Sequence, residues 1–524
     1  MPPRQRKPSE MTLQLVSLVL LGVGLVSSNP SATILDDEAQ TLSQATQQLH
    51  DLFARFFSSS QIPYSHPPLF DILLHFWLRW TGGSFAYLRI PSILLFLAGF
   101  FLLAQAARQL TGTKGGAALI WAGALWPFGF HYGRLAVAPL FAFFLVCGLT
   151  FAYQKYLEDR SPARWTAMLL FCLALTWTNY FGWAIVGCLA IDLALRLRKA
   201  AFGLNLVALA GSVALLGVAF VPFLAVIPHS FRSAVNFHQG AQSTLVTAAY
   251  DVYSLFVSES VAPWYWRFTI PAGLAVAVCV VLVVWWTPRP ARRLLIYSAC
   301  LIVAMALSGT LNLYRLLILS PWILLPLGVA IEAEKPQWAN LGLAVALMTI
   351  GGIGWYGIYS RHYYSAPRFI EPWGEVAGGA AGKIRGGAAV IADHPSFLLY
   401  LTYNLHIPDQ GGLWRYEGSV TVFVHHPQVY SPSEWLASGQ PAGRTIMLIR
   451  GPTETGGGAP IDQAQRQLDQ SCGSISSRLM VRDQGYEWKQ RFLPGMGGAM
   501  WRIEVREYDC SSSNSKQIYP IPTP

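Results

Sequence analysis

Charge is what this sequence has least of. Asp, Glu, Lys and Arg supply 12% of its 524 residues, while hydrophobic residues supply 53%. An ordinary soluble chain is about 25% charged, so most of this one has no water to face. The deficit excludes a soluble globular protein and leaves a polytopic membrane protein. The 19 Trp and 22 Tyr suit that class, because both favour membrane–water interfaces. Acids are the scarcer sign, 27 against 37 Lys and Arg, for a net charge of +10. The cations fall in short clusters between apolar runs, the pattern of cytoplasmic loops. Anionic membrane lipid accounts for that balance and no nucleic acid is needed. Cysteine is sparse as well, with seven in the chain and no metal-ligand spacing. Cys147, Cys172, Cys188, Cys279 and Cys300 sit in apolar runs, where Cys acts as a small hydrophobe. Cys472 and Cys510 lie in the polar C-terminal region and are a candidate disulfide if it faces an oxidising compartment. No internal repeat is visible in the apolar runs.

What is present is a series of those runs. Met11 to Val26 is uncharged and follows Arg4, Arg6 and Lys7. Because many spans come after it, it reads as a retained first helix, with the N-terminus in the cytoplasm. Residues 30–68 then form an external loop. Within it, Glu38 to Phe57 is predicted as an amphipathic surface helix on Leu42, Leu49, Leu52, Phe53 and Phe56. Phe70 to Trp80 is apolar but too short to span comfortably. If it crossed, every later basic loop would face outward, so it is read as juxtamembrane or half-inserted. From Arg89 to Tyr356, apolar runs with basic ends bring the count to roughly 11 spans, with a second external loop from Pro228 to about Trp266. After Arg361, Gly, Pro and polar residues rise. Strands are predicted at Ala388 to Ala392, Thr445 to Leu448 and Trp501 to Arg506, and a helix at Pro395 to Tyr403. The expected organisation is a membrane domain over 1–360, a small external α/β domain over 361–510 and a mobile tail over 511–524.

Three consecutive acids, Asp36-Asp37-Glu38, sit where the first helix has ended. Loop carboxylates are mostly just solvated. A triplet beside an amphipathic segment and a proline-anchored re-entry favours a working role. Asp37 is the candidate general base, since a base must stay ionised and reach the proton it removes. Glu38 either orients it, binds the acceptor, or caps the following helix, where acids are favoured. Asp36 can orient or bind in the same way. A second group comprises Arg89, Arg134 and Arg315, with Tyr132 and Tyr314 close to the latter two. All lie at outer span ends, against the charge rule. A guanidinium fork there suits phosphate oxygens; the plain alternative is snorkelling or pairing with loop acids. His66 precedes Pro67-Pro68 and can position a substrate, but a single His is weak ground for a metal. Asn179-Tyr180 reads simply as an external turn.

Taken in order, Asp37-Glu38-Ala39, His66-Pro67-Pro68-Leu69, Leu88-Arg89-Ile90-Pro91-Ser92, the pair Tyr132 and Arg134, and Tyr314-Arg315 form a pattern. It resembles the GT-C membrane glycosyltransferases, specifically family 39-like enzymes akin to protein O-mannosyltransferases and aminoarabinose transferases. The stretch from Tyr363-Tyr364-Ser365 to Trp373 is similar to the junction with the external domain in bacterial members. The resemblance covers Met11 to Trp373. It implies a polyprenyl-phosphate sugar donor, a lipid, glycan or protein acceptor at the external face, and inversion at the anomeric carbon. It implies that Asp37 acts as base, that Arg315 holds the donor phosphate and that His66 lines the cavity. Many members place an acid after the outer Arg of the third loop, whereas Arg134 is followed by Leu135 to Pro139 without one. The resemblance therefore carries over neither a second carboxylate nor a definite cofactor, and leaves a divalent metal open. Two other classes remain: a transporter or flippase of lipid-linked substrates, and a non-catalytic assembly subunit. Coupled transporters usually need acids within spans, and Asp192, the clearest one here, lies close to Arg196.

Overall fold

The computed structural model describes residues 10–27, 35–46, 48–50, 52–53, 66–82, 85–111, 116–197, 202–223, 244–365, 367–392, 394–405, 415–416, 422–423, 426–438, 445–451, 458–482, 487–488, 491 and 502–510. The chain forms two compact units. One comprises Met1–Ser31 with Gln47–Ser365, the other Ala32–Thr46 with Ala366–Pro524.

The first unit is helical. Its helices are α1 (Glu10–Ser27), α3 (Leu69–Thr81), α4 (Phe85–Leu88), α5 (Ile90–Thr111), α6 (Gly116–Ala124), α7 (Pro127–Tyr132), α8 (Ala138–Glu158), α9 (Pro162–Thr176), α10 (Gly182–Leu197), α11 (Phe202–Phe220), α12 (Thr244–Val257), α13 (Trp266–Trp286), α14 (Arg289–Leu307), α15 (Leu313–Glu332) and α16 (Gln337–Ser360). Among the described residues, six are long and apolar enough to cross a membrane: α5, α8, α13, α14, α15 and α16. The other expected spans correspond to α1, α6 with α7, α9, α10 and α11. This is a multi-pass membrane protein. Burial separates an inner wall from a lipid face. The apolar windows of α8 and α15 are 78% and 72% buried, against 22% for α14. The inner helices approach closely: a Cβ on Gly148 would lie 2.2 Å from the ring of Phe171, so α8 and α9 can pack there only without a side chain.

Two local features depart from the hydropathy reading. The run Ala117 to Phe130 is split into α6 and α7, because Pro127 has no N–H to continue the ladder and is suited to a helix start. The carbonyl of Leu125 at this break accepts from Trp355 Nε1 at 3.2 Å, and Trp126 Nε1 donates to Leu255 O at 2.6 Å. Of the expected external loop, Pro228 to Trp266, residues 228–243 lie outside the described residues, and the rest contains α12, which packs against α7, α15 and α16. Tyr250 is 4% exposed and every residue from Val257 to Ala262 is buried. Val246, Tyr250, Tyr253 and Val257 fall at helical spacing, a stripe that marks this helix.

The second unit holds the α/β domain. A five-stranded sheet has the order β4-β1-β5-β7-β6, from β1 (Ala389–Ile391), β4 (Val429–Tyr430), β5 (Thr445–Arg450), β6 (Gly473–Arg482) and β7 (Arg502–Asp509); β2 (Arg415–Tyr416) and β3 (Val422–Phe423) pair separately. The strands β4, β1 and β5 run parallel, and β7 and β6 are antiparallel to their neighbours. Alternation along the strands feeds two cores. Val390, Met447 and Ile449 join Trp373, Phe397 and Leu401 of α17 (Trp373–Arg385) and α18 (Pro395–Asn404). Ala389, Ile391, Ile446 and Leu448 join Trp435, Ile461 and Leu468 of α19 (Pro432–Ala437) and α20 (Gly458–Ser471). This period of two is what a sheet covered on both faces requires. Cys472 and Cys510 are disulfide-bonded, tying the start of β6 to the end of β7.

Helix α2 (Asp36–Ala45) belongs to this second unit and packs against α18. This corrects the single amphipathic helix expected from Glu38 to Phe57. The helix ends at Ala45, and Leu35, Ala39, Leu42 and Ala45 are buried in the second unit, whereas Leu52 packs with Phe220 and Phe223 of the first. Apolar spacing marks a face that must be covered; it does not say by what. Phe56 and the tail 511–524 lie outside the described residues.

Candidate functional site

His66, Arg89, Tyr132, Arg134, Tyr314 and Arg315 all fall in the first unit. Helix α15 starts at an Asn312 N-cap whose side chain accepts from Arg315 N at 2.9 Å. This sets Arg315 in the first turn, where a cation is opposed by the helix dipole. Its Nη1 atom is buried and has no hydrogen bond, and no ion pair involves Arg315 among the described residues. A guanidinium nitrogen buried without an acceptor is costly, and an anionic partner would satisfy it.

His66 stands within electrostatic reach of Arg315. Burial, and then the Arg315 charge, hold its pKa down at about 4. The ring is therefore neutral near pH 7, and its tautomer follows from Asn179. The Asn179 Oδ1 accepts from Phe181 N at 2.9 Å, which turns the amide Nδ2 to His66 Nδ1 at 3.0 Å. An amide nitrogen only donates, so Nδ1 accepts and Nε2 carries the proton. Beside the guanidinium there is thus a second, neutral donor. Asn179, which the sequence presents as a plain turn, orients it. No local signal distinguishes this Asn from a turn former.

A second cluster surrounds Tyr132. The ring is fully buried, stacked on Phe128 at 4.2 Å between centroids and T-shaped to Tyr314 at 5.6 Å. Its hydroxyl donates to Glu259 Oε2 at 2.8 Å. The neighbouring His131 contacts Ser258 Oγ through Nδ1 at 2.7 Å and the Tyr364 hydroxyl through Nε2 at 3.1 Å. Burial pushes the Tyr364 hydroxyl well up, while Arg134 and Arg361 pull it down, so it stays a neutral hydroxyl. Arg134 lies over the Phe130 ring, 4.5 Å from its centroid, a cation–π contact that partly replaces lost hydration. Arg89 is 3% exposed between α4 and α5. Glu259 lies in the stretch expected to be an external loop, and no motif in the sequence singles it out.

The acids of the first loop fall in the second unit. Asp36 and Asp37 open α2, and Asp37 is partly exposed. Glu38 is fully buried, and its Oε2 accepts from Leu35 N at 3.1 Å. That is the capping contact, closing the helix N-terminus. Among the described residues, no three His, Cys, Asp or Glu side chains are placed to hold a metal ion.

No protein-family model matches the sequence, and no curated protein sequence matches it. Solved structures do match. ArnT from Cupriavidus metallidurans in the apo state aligns over 95% of this chain and 98% of its own, with a TM-score of 0.54 and 14% identity. The same protein bound to undecaprenyl phosphate aligns over the same shares at 0.53 and 12%. The chain has the GT-C fold. At this identity the likeness is one of architecture. The alignment runs through both the helical membrane unit and the small C-terminal sheet domain.

Proposed function

We propose that this protein transfers a sugar from a polyprenyl-phosphate donor to an acceptor at the external membrane face. The observation that carries the reading is the buried, unpaired guanidinium nitrogen of Arg315 with the neutral Nε2 donor of His66 in its field. The GT-C fold adds support, because ArnT binds undecaprenyl phosphate on the same architecture. In the proposed reaction an acceptor hydroxyl or amine attacks the anomeric carbon. The carbon–oxygen bond to phosphate breaks with inversion, and the polyprenyl phosphate leaves with the electron pair. The fork of Arg315 stabilises the charge that develops on the leaving oxygens. Asp37 takes the acceptor proton as general base. Glu38 holds the helix that presents it, and Asp36 contributes to the same acidic edge.

Transport is the weaker reading, for a specific reason. The span acid Asp192 is engaged by Arg196 at 2.7 Å, Arg293 at 3.1 Å, Tyr297 at 2.9 Å and Tyr153. A carboxylate held by two cations and two hydroxyls is a structural tie between helices, poorly suited to carrying protons or ions.

Two variants separate the parts of the proposal. Arg315→Gln in purified protein should lose binding of undecaprenyl phosphate in detergent micelles by tenfold or more, as a rough scale for one charge-assisted pair. Asp37→Asn should bind that probe normally and fail to transfer sugar. Undiminished binding by Arg315→Gln sinks the phosphate assignment, and undiminished transfer by Asp37→Asn sinks the base.

A further inference from the structure

The turn that follows α12 is unusual. Six consecutive residues from Val257 to Ala262 are buried, although they form no regular ladder. Ser258 has φ +64°, a backbone region that a residue with a Cβ adopts only when its surroundings force it. The forces are visible. Ser260 Oγ donates to Val257 O at 2.8 Å or to Gly354 O at 2.9 Å. Ala262 N donates to Tyr363 O at 2.7 Å, and Ser365 N to Glu259 O at 2.9 Å. The turn is thus lashed to α16 and to the residues that follow it.

What it presents is a carboxylate. Glu259 is 1% exposed. One oxygen accepts from Tyr132 at 2.8 Å, and the other from Tyr250 at 3.3 Å. Tyr250 in turn reaches Ser365 Oγ at 2.6 Å. A buried carboxylate is expensive, and holding the turn alone does not require one, because the backbone bonds already do so. Its two oxygens accept from two tyrosine hydroxyls, and the shorter contact is with Tyr132. With Phe128 stacked on its face and Glu259 on its hydroxyl, Tyr132 is held in one place. Its edge-to-face partner Tyr314 immediately precedes Arg315.

We propose that Glu259 is a positioning residue of the phosphate site. It fixes Tyr132, Tyr132 fixes Tyr314, and Tyr314 sets the first turn of α15, from which the Arg315 fork reaches the donor phosphate. This role depends on the proposed function, because it assigns a task to the same guanidinium.

The test uses the full chain in detergent micelles with undecaprenyl phosphate as probe and native mass spectrometry as the measure of affinity. Glu259→Gln keeps an acceptor for the tyrosine hydroxyl and should bind within about threefold of the parent. Glu259→Ala and Tyr132→Phe should each weaken binding by about tenfold, and the double variant no further than the weaker single one, because both break one link. Additive losses, or parental affinity in a folded Glu259→Ala, overturn the role. Should Glu259→Ala fail to fold, Tyr132→Phe decides alone: it removes one hydroxyl and leaves the stacked ring, and parental affinity overturns the role. No binding by the parent chain overturns the proposed function and this role together, whereas binding that Arg315→Gln loses and Glu259→Ala keeps overturns this role only.

Discussion

Asp71→Asn should make the protein more stable near neutral pH, and the gain should vanish in acid. Asp71 sits in the first turn of α3, a 13-residue helix too short to span. It is 4% exposed and makes no hydrogen bond or ion pair among the described residues. Burial raises its pKa from 3.8 to about 8. Between those values the folded chain keeps a proton that the unfolded chain has released. The folded state then binds more protons, so stability falls as pH rises through this window and levels off above about 8. From 3.8 to 7 is roughly three pKa units, and at 1.36 kcal/mol per unit the cost at pH 7 is about 4 kcal/mol. Near pH 4.5 it is about 1 kcal/mol. Asparagine has nearly the same shape and no charge to desolvate. Thermal unfolding of both proteins in one detergent, from about pH 4.5 to 8, measures the difference. A variant no more stable than the parent at pH 7, or a gain that is constant across the range, refutes the reasoning.

Three further outcomes follow from other contacts. His66 has the opposite sign to Asp71: its folded pKa is lowered from 6.5 to about 4, so it adds stability above pH 6.5 that is lost as pH falls toward 4. Its ring resonances, assigned with His66→Gln, should not titrate between about pH 5 and 8, whereas Asn179→Asp should bring that titration into the range by placing a carboxylate on Nδ1; an unmoved titration in the variant counts against the Asn179 assignment. Removing the Cys472–Cys510 bond, which closes a separation of 38 residues, should cost about 4 kcal/mol by loop entropy, read as reductant-dependent proteolysis of the C-terminal unit; indifference to reductant contradicts it. Asp192→Asn should lower thermal stability by about 1 kcal/mol, because the two arginines it releases are partly exposed, and leave undecaprenyl phosphate affinity unchanged; a loss of affinity at full stability would show that Asp192 is more than a tie.

Much of the architecture could be read along the chain. The helix Phe70 to Trp80 became α3, Pro395 to Tyr403 became α18, and Ala388 to Ala392 and Thr445 to Leu448 became β1 and β5 within a residue or two. Hydropathy and strand alternation are local patterns, and burial in lipid or between helices reads them directly. The cysteine pair was legible because only two lay in polar sequence. The residues around the candidate site were legible by type: a cation at an outer helix end is visible in the sequence whether or not anything answers it.

Their circumstances were not. The sequence leaves three roles open for Glu38, and only the structure selects the buried cap of α2 in the second unit. The sequence shows Asn179 as a turn former, while its contact with His66, 113 positions away, decides which ring nitrogen carries the proton. It shows Glu259 as a loop acid, while Tyr132, 127 positions away, decides what that acid holds. Composition and periodicity determined that this chain enters a membrane and ends in a sheet domain, because those depend on near neighbours. Only the tertiary structure decided which polar groups face one another without water, because desolvation and hydrogen bonding are set by atoms from distant segments.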